Sequence, residues 1–503
     1  MLPSIMKLLY ALGIGGFIAC PIHASLSSVG IRNGNFVDEE GRFRIFHGFN
    51  DVSSAKGVQP SKNGENFTPK LSRNSSVISE WAEGLGVNCM RTPMMWAGAN
   101  PDGADTYDDI YIGNIEAIVN KLAEHGIYSF LDMHQDVISS LTGSYDGIPL
   151  YLAEQTKVIK EYPWPLKLPL HGWGEGYLAL QTGAIFQDIY DNTHGALTQW
   201  ANFWKRIATT FKGNNNVIGY ELINEPWPGN VIRHPSLMLP GNAGRKSLMP
   251  SYDFVAEAIR EVDEDHLIFY EPVTWGMIFN GEVSGSGFDR VPGGDQWKDK
   301  SVLSYHYYCW FQRGGDDPLT PVERTECDRA FAPQVFKEIE KDKAKLGGAA
   351  FMTEFGGNSP NATEPDSGGV EEIDFLLDTA DEYFSSWAFW DVAAFYNADT
   401  HESKKENLAV FARIYTSAIA GVPTKMKTVR KENTFELEYD IDNEGVKSRL
   451  TEIIVPKLAM EKGEYDVKVE GGAEVECGLG DHVVCIENDE DANSVVVNIS
   501  PKK

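Results

Sequence analysis

Between residues 43 and 391, short apolar runs alternate with stretches of helical periodicity, and this alternation leaves few folds open. Eight runs are typical of strands: RFRIFHGF, GVNCMRTP, IYSFLDMHQ, VIGYELINE, LIFYEPV, VLSYHYY, AAFMTEF and SSWAFWDV. In GNIEAIVNKLAEHG, four apolar residues from Ile115 to Leu122 share one helical face, and Gly126 follows as a stop. The pattern predicts an α/β protein with a (β/α)8 TIM barrel. A doubly wound sheet is the alternative, although no Gly-rich phosphate loop follows the first strand.

After residue 423 the pattern changes to strict alternation without helices. TFELEYDI places Phe435, Leu437 and Tyr439 on one face and charged residues on the other, and EYDVKVE and SVVVNIS alternate in the same way. This period predicts a small antiparallel β-sandwich. We therefore expect a signal peptide at 1–24, a catalytic barrel at 25–423 and a C-terminal sandwich at 424–503.

The N-terminus is typical of a secretory signal peptide. Lys7 precedes an apolar run that is short for a membrane span, and IHA ends at the small residue Ala24, so a retained anchor is the less favoured alternative. Cys20 would leave with this segment. Four glycosylation sequons agree with secretion, at Asn66, Asn74, Asn361 and Asn498. We expect the protein in an extracellular space, a digestive lumen or a lysosome-like compartment.

Secretion permits disulfides, and the remaining cysteines suggest two local pairs. Cys309 and Cys327 bracket a polar loop, and Cys477 and Cys485 bracket the turn CGLGDHVVC. Cys89 is left over and is predicted to be a free, buried thiol. No cysteine–histidine spacing resembles a zinc site, so we expect neither a metal nor a cofactor.

The charge balance bears on partners. The formal net charge of -29 repels polyanions, so nucleic acid is an improbable partner. We expect a soluble protein, in monomeric form, that makes transient contact with a membrane or micelle surface. The charge does not identify a substrate.

Polar and aromatic side chains stand where the apolar strands end. In a TIM barrel these ends meet at one mouth, where the chemistry takes place. The residues at the ends are Asn50, Arg91, Asp132, His134, Asn224, Glu225, Glu271, His306, Tyr308, Glu354 and Trp390. Paired carboxylates at such a mouth indicate glycoside hydrolysis, in which one protonates the departing oxygen and the other attacks the anomeric carbon or activates water. An amide beside one of them is suited to hold a sugar 2-hydroxyl.

Several of these motifs resemble those of a known family. NEPWPG, SYHYY, MTEFGG and SSWAFW resemble the strand-end motifs of glycoside hydrolase family 5. GFN, VNCMRTPMMW, FLDMHQD, YPWPL, IFYEPVTW and RIYTSAIAGVP are similar to its endoglycoceramidase branch, and the resemblance spans roughly residues 43–425. The family has a sugar-binding lysine shortly after GFN. Lys56 comes later than that pattern, so it is left out of the predicted site.

The resemblance implies residue roles and retention of configuration. Glu225 would be the general acid/base, and Glu354 the nucleophile. Asp132 would bind sugar hydroxyls, and the other substrate-binding and supporting residues would be Arg91, His134, Asn224, His306, Tyr308 and Trp390. Glu271 also ends an apolar strand, but the family has no catalytic carboxylate on its fifth strand. A structural hydrogen-bonding role is therefore favoured for Glu271.

The leading hypothesis is a secreted retaining glycosidase that cuts the β-glucosidic bond between the oligosaccharide and ceramide of glycosphingolipids. The alternatives are a glucosylceramidase, a steryl glucosidase or a β-glucanase on the same barrel, and a lectin-like protein without catalysis. Both glutamates count against the last of these. The tract from Gly147 to Pro169 is apolar enough for a lipid-facing groove. The predicted lipid wall comprises Ile148, Leu150, Tyr151, Trp164, Leu166 and Trp227.

Overall fold

The computed structural model describes residues 26–51, 75–143, 147–273, 278–279, 282–309, 311, 319–356, 368–397, 400, 402–461 and 463–502. The predicted signal peptide, Lys56 and the sequons at Asn66, Asn74 and Asn361 lie outside these residues. Among the helices so described, none is long and apolar enough to cross a membrane.

Eight parallel strands close into a barrel, which confirms the predicted fold over the open-sheet alternative. In chain order they are His47–Asn50, Cys89–Pro93, Tyr128–Asp132, Val217–Glu221, Leu267–Tyr270, Ser301–Tyr308, Ala349–Gly356 and Ser386–Trp390. The last strand pairs with the first, with Trp387 opposite His47. All eight carboxyl ends therefore meet at one mouth.

Helices lie between the barrel strands. The longer helices are Asp109–Ala123, Leu180–Tyr190, Ala196–Phe211, Met249–Arg260, Ala332–Leu346 and Gly368–Glu382. Shorter ones are Ser75–Ser79, Glu80–Gly84, Trp96–Ala99, Leu150–Ala153, Gly244–Leu248, Pro321–Glu326, Cys327–Phe331 and Lys405–Leu408. The indole N–H groups of Trp200 and Trp204 both donate to the carbonyl of Leu222, at 3.2 and 2.9 Å. These bonds tie a buried helix face to the end of the fourth strand.

A β-sandwich packs beside the barrel, as the alternating pattern predicts. One sheet has four strands, in the order Val422–Val429, Thr434–Asp440, Ser494–Pro501 and Tyr465–Glu470. The other has seven, in the order Gly30–Arg32, Asn35–Val37, Phe43–Arg44, Tyr415–Ile419, Leu450–Ile454, Val483–Asn488 and Ala473–Cys477. Two short hairpins complete the strands, Ile278–Phe279 with Glu282–Val283 and Tyr396–Asn397 with Glu402–Ser403. Asn498 is partly exposed between the buried Val497 and Ile499, so its side chain faces away from the sandwich core.

The domain boundary differs from the predicted division at residue 423. Three N-terminal strands belong to the sandwich, because Arg44 pairs with Ala418 of the strand Tyr415–Ile419. The single predicted strand RFRIFHGF is therefore two strands. Phe43–Arg44 lies in the sandwich, and His47–Asn50 opens the barrel. Apolar periodicity marks the whole run as extended but contains no information about which sheet each half joins.

Both predicted disulfides are present. Cys309 pairs with Cys327 across a Cα separation of 5.5 Å, directly after the sixth barrel strand. Cys477 pairs with Cys485 in the sandwich, with Cα atoms 4.9 Å apart. Cys89 is a free thiol in the core, as predicted.

Candidate active site

Arg91 is the charged centre beneath the barrel mouth. Its side chain is fully buried, because the second strand carries it inward among the other strand ends. It contacts Glu221 (2.5 Å), Glu354 (2.5 Å), Asn224 (2.8 Å), Asn50 (3.0 Å) and Asp132 (3.1 Å). One guanidinium thus joins four other strands and offsets the charge of three carboxylates.

Glu354 is held in a fixed orientation by two donors. Its Oε1 accepts from Arg91, and its Oε2 accepts from the Tyr308 hydroxyl at 2.7 Å. Burial raises the pKa of Glu354, while interactions with His306 and Arg91 oppose that rise. Burial also raises the pKa of Tyr308 well above its ordinary value, so the phenol remains a hydrogen-bond donor. The two donors leave the carboxylate aligned for attack on a bound sugar.

Glu225 follows the fourth strand and has a different environment. Its side chain is 15% exposed, more than that of Glu354, and its Oε1 lies 3.0 Å from His306 Nδ1. Burial, followed by the nearby charge of Asp136, raises the pKa of Glu225 to about 7. A carboxyl group with this pKa can carry a proton near neutrality and deliver it to a departing oxygen.

His306 stands between the two glutamates. Burial lowers its pKa to about 4, so its imidazole is neutral above that pH. Its Nδ1 is 3.5 Å from Oε2 of Glu354, and one carboxylate oxygen of Glu225 lies within 4.8 Å of one of Glu354. Retaining glycosidases separate their two carboxyl groups by about 5–5.5 Å, and inverting ones by about 6.5–9.5 Å. A pair of oxygens this close favours the shorter, retaining separation over the longer, inverting one.

Within the part of the chain that the structure describes, two overlapping groups of side chains have the spacing of metal ligands. His306 belongs to both, with Glu225 and Glu354 in one and with Glu221 and Glu271 in the other. Arg91 already pairs with Glu221 and Glu354, so these carboxylates have a cationic partner without a metal. The expectation of a metal-free site stays a prediction.

The third strand leads into a histidine–tryptophan pair. The ring of His134 stacks on Trp390 at 5.1 Å between centroids, and its Nδ1 lies 2.8 Å from Asp132 Oδ2. Although burial opposes protonation, the carboxylates of Asp132 and Asp136 raise the pKa of His134 well above its ordinary value. Trp390 keeps a partly exposed face at the mouth.

The prediction that Asp132 binds sugar hydroxyls disagrees with the position of its side chain. The side chain is fully buried, and its oxygens face Arg91 and His134. The motif FLDMHQD indicates that Asp132 lies at the end of a strand. It does not indicate that Arg91 and His134 cover the carboxylate. Asp136, in the same motif, is 23% exposed and 3.6 Å from His134 Nε2. It is the carboxylate of this segment that can reach a sugar, and it is absent from the sequence-based set.

The structure brings all the other predicted site residues together. Sequence reasoning missed Glu221 and Gln135 because one lies within an apolar strand and the other in a loop. A charged residue in the apolar run VIGYELI was the available signal for Glu221. Glu271 has the predicted hydrogen-bonding role, since its Oε2 accepts from the backbone N–H of Glu225 at 2.6 Å.

The predicted lipid wall is only partly on the surface. Ile148 and Trp227 are buried, at 2% and 5% exposed, and the ring of Trp227 stacks on Tyr177. Leu150 and Trp164 are each 41% exposed. The sequence pattern of an apolar loop residue is the same whether it faces solvent or the core. Sequence alone therefore could not show that Ile148 and Trp227 are buried.

Residues 54–395 match the family "Cellulase (glycosyl hydrolase family 5)", and residues 413–500 match "Glycoside hydrolase family 5 C-terminal domain". An endoglycoceramidase of Cyanea nozakii is 35% identical over 457 residues, covering 86% of this chain and 84% of its own. One of Hydra vulgaris is 32% identical, covering 82% and 77%.

The fold is also similar to a solved endo-glycoceramidase II from Rhodococcus sp. The TM-score is 0.74 at 22% identity, with 93% of this chain and 99% of that chain covered. The chain belongs to glycoside hydrolase family 5, in the branch of its endoglycoceramidase relatives, and it is a glycosidase.

Proposed function

We propose that the chain is a secreted, retaining glycosidase that cuts the β-glucosidic bond between the oligosaccharide and ceramide of glycosphingolipids. The observation that carries the retaining mechanism is the separation of at most 4.8 Å between oxygens of Glu225 and Glu354. Support for the substrate class comes from the relatives named endoglycoceramidase and from a Rhodococcus enzyme solved with ganglioside GM3.

In the first step, Glu354 attacks the anomeric carbon of the glucose. The bond to the ceramide oxygen breaks as Glu225 donates its proton to that oxygen, and ceramide leaves with a hydroxyl group. A glycosyl ester on Glu354 remains. In the second step, Glu225 takes a proton from water, the water oxygen attacks the anomeric carbon, and the Glu354 carboxylate leaves. The oligosaccharide is released, and Glu225 is again protonated.

The two glutamates are suited to these roles by their surroundings. Glu354 has Arg91 and Tyr308 as fixed donors, which stabilise the carboxylate that attacks and later departs. Glu225 lies 3.0 Å from the imidazole of His306, which is neutral at the working pH. Their unequal environments separate an ionised nucleophile from a protonated acid.

Apolar side chains are exposed on the loops after the third and fourth strands. They are Leu150, Ile159, Trp164, Leu168, Leu178, Ile232, Met238 and Leu239. These two loops carry Asp136 and Glu225 at their starts, next to the site. We assign the apolar residues to contact with ceramide and with the micelle or membrane that presents it. Trp390, His134 and Asp136 form the polar and aromatic side that would receive the sugars.

Product analysis tests the proposal. Lactosylceramide or GM3 in detergent micelles should give the intact oligosaccharide and intact ceramide, separated by chromatography. Two of the more distant relatives of this chain are named glucosylceramidase and endoglucanase, which are the alternative activities on this barrel. Release of galactose before glucose would contradict the endo mode, and faster turnover of cellulose fragments than of glycolipid would favour a β-glucanase.

Secretion is part of the proposal and has its own test. It is supported by the apolar segment that ends at Ala24 and by the four sequons. The N-terminal peptide of protein collected from the medium of an expressing eukaryotic cell should start after residue 24. Enzymatic removal of N-glycans should lower the mass of that protein, including at Asn498. Retention inside the cell with an intact N-terminus would overturn this part.

A further inference from the structure

The carboxyl group of Glu271 lies beside Glu225, although it belongs to a different strand end. Glu271 directly follows the fifth strand and is 3% exposed. Its Oε2 accepts from the backbone N–H of Glu225 at 2.6 Å, and its Oε1 lies 3.5 Å from His306 Nδ1. The Tyr252 hydroxyl donates to the backbone carbonyl of Glu271 at 2.8 Å, which holds this strand end in place.

The backbone that Glu271 holds is strained. Glu225 has a φ of +40°, in the left-handed region that residues with a Cβ seldom adopt. Such a conformation persists only where the surroundings impose it. On the other side of the same residue, Gln135 Nε2 donates to the carbonyl of Glu225 at 2.8 Å. The peptide groups on both sides of Glu225 are therefore held by side chains from neighbouring strand ends.

We propose that Glu271 is a positioning residue for the acid/base: it fixes the strained backbone of Glu225 so that its carboxyl group reaches the departing oxygen. Gln135 holds the opposite side of the same residue. The inference rests on the acid/base role of Glu225 in the proposed function. A misplacement of about 1 Å can cost about 100-fold in rate, so a short backbone contact at this place has a large effect on catalysis.

The charge balance of the site explains why a carboxyl group can serve here. Burial raises the pKa of Glu271 well above its ordinary value, and the charges of Glu225 and Glu221 raise it further. A neutral carboxyl still offers a carbonyl oxygen to the Glu225 N–H, and it adds no negative charge beside the acid/base. Glutamine has the same acceptor and the same charge, so it is the conservative replacement. The groups facing Glu271 are Glu225, Glu221, Arg91, His306 and Tyr252.

The test compares Glu271→Gln with Glu271→Leu on aryl glycosides whose leaving groups differ in acidity. Glu271→Leu fills similar space but removes the hydrogen-bond acceptor, so proton donation by Glu225 to the leaving group should be slower. We expect kcat/KM to fall about 100-fold for a poor leaving group such as phenol, and no more than about threefold for dinitrophenol, which needs no acid. Glu271→Gln should restore kcat/KM to within about threefold of the wild type on both substrates.

Two reference variants make the result unambiguous. Glu225→Gln defines the leaving-group dependence of a chain without the acid. Glu372→Leu removes another buried glutamate, on the helix Gly368–Glu382. It should lower kcat/KM equally on both substrates or leave it unchanged. If Glu271→Leu does not fold, Glu271→Ala removes the same acceptor and takes its place.

Equal losses on both leaving groups in Glu271→Leu would overturn the positioning role, as would a Glu271→Gln variant no better than Glu271→Leu. A Glu225→Gln variant without leaving-group dependence would instead overturn the acid/base assignment. These aryl substrates carry no lipid, so the outcome does not depend on whether the natural aglycone is ceramide.

Discussion

At Glu225 and Glu354 the same side chain serves two roles because the local environments differ. Glu225 has the raised pKa of about 7, and its acid form is the active one in the first step. Activity should therefore fall as pH rises through about 7, since the proton is lost there. Burial also raises the pKa of Glu354, so the acid limb should lie above the ordinary carboxyl range.

The resulting pH–rate profile should be bell-shaped, with its maximum below neutrality. The measurement is kcat/KM on an aryl glycoside with a poor leaving group between pH 4 and about pH 9. Glu225→Gln, measured on a dinitrophenyl glycoside, should lack the alkaline limb. A wild-type profile that stays flat through pH 8 would contradict a carboxyl acid.

Removing each glutamate should give a different loss. Glu354→Gln lacks the nucleophile, so kcat/KM should fall by several orders of magnitude on all substrates, roughly the contribution of a covalent catalyst. Glu225→Gln should still form the glycosyl-enzyme from a dinitrophenyl glycoside, and azide should accelerate its breakdown. An equal fall of kcat/KM on every substrate in Glu225→Gln, with no effect of azide, would contradict the assignment of Glu225 as the acid/base.

At the scale of single elements, the barrel strands were predictable because each is a short apolar run bounded by polar residues. The division of the first apolar run between two different sheets was not predictable, and Phe43–Arg44 shows why. Its residues are as apolar in pattern as those of the adjacent His47–Asn50, and only long-range pairing with Ala418 separates them. In the same way, strand ends identified Asp132 as a site residue, but only three-dimensional packing showed that Arg91 and His134 cover it.

The loop after the third strand carries a test of the lipid contact. Trp164 is 41% exposed and lies in the tract that we assign to ceramide. Trp164→Ala should lower kcat/KM on lactosylceramide by about tenfold, because burial of its ring against lipid is lost at about 25 cal/mol per Å². An aryl lactoside should be hydrolysed at nearly the wild-type rate. Trp227→Ala, a buried control, should lower stability instead, and equal losses of Trp164→Ala on both substrates would contradict the lipid contact.

The disulfide Cys309–Cys327 belongs to the loop that follows Tyr308. Its two cysteines are separated by 18 positions in sequence, and in the chain-entropy model a loop of this size contributes about 3 kcal/mol to the free energy of unfolding. Replacing both cysteines by serine should lower Tm and also reduce activity, because Tyr308 bonds to Glu354. Replacing Cys477 and Cys485 by serine should lower Tm only. Peptide mapping without reduction checks both pairs, and free thiols at Cys309 and Cys327 in secreted protein would contradict the first.

At the scale of the whole molecule, the barrel and the sandwich are linked by the N-terminal segment and by ion pairs. The buried Arg413 pairs with Asp378 and, at 3.1 Å, with Asp381, and Arg430 makes two bonds of 2.6 Å to Asp374. All three aspartates lie on the helix Gly368–Glu382 of the barrel. Together with the N-terminal strands, these contacts couple the sandwich to the barrel.

A chain that ends at residue 423 should therefore not yield a stable barrel. Truncation there leaves Gly30–Arg32, Asn35–Val37 and Phe43–Arg44 in a sheet that has lost three of its seven strands. We expect low soluble yield and no activity from 25–423, and a single calorimetric transition for the full chain. An active, soluble 25–423 fragment or two separate transitions would contradict this coupling.

The central claim is that Glu354 forms a covalent bond to the sugar while Glu225 handles the proton. A 2-deoxy-2-fluoro glycosyl fluoride slows the release of the sugar from the enzyme, so the labelled residue can be identified by mass spectrometry of proteolytic peptides. We expect one added sugar on the peptide that contains Glu354, bonded to that side chain. A label on Glu225 or on Glu271 would contradict it.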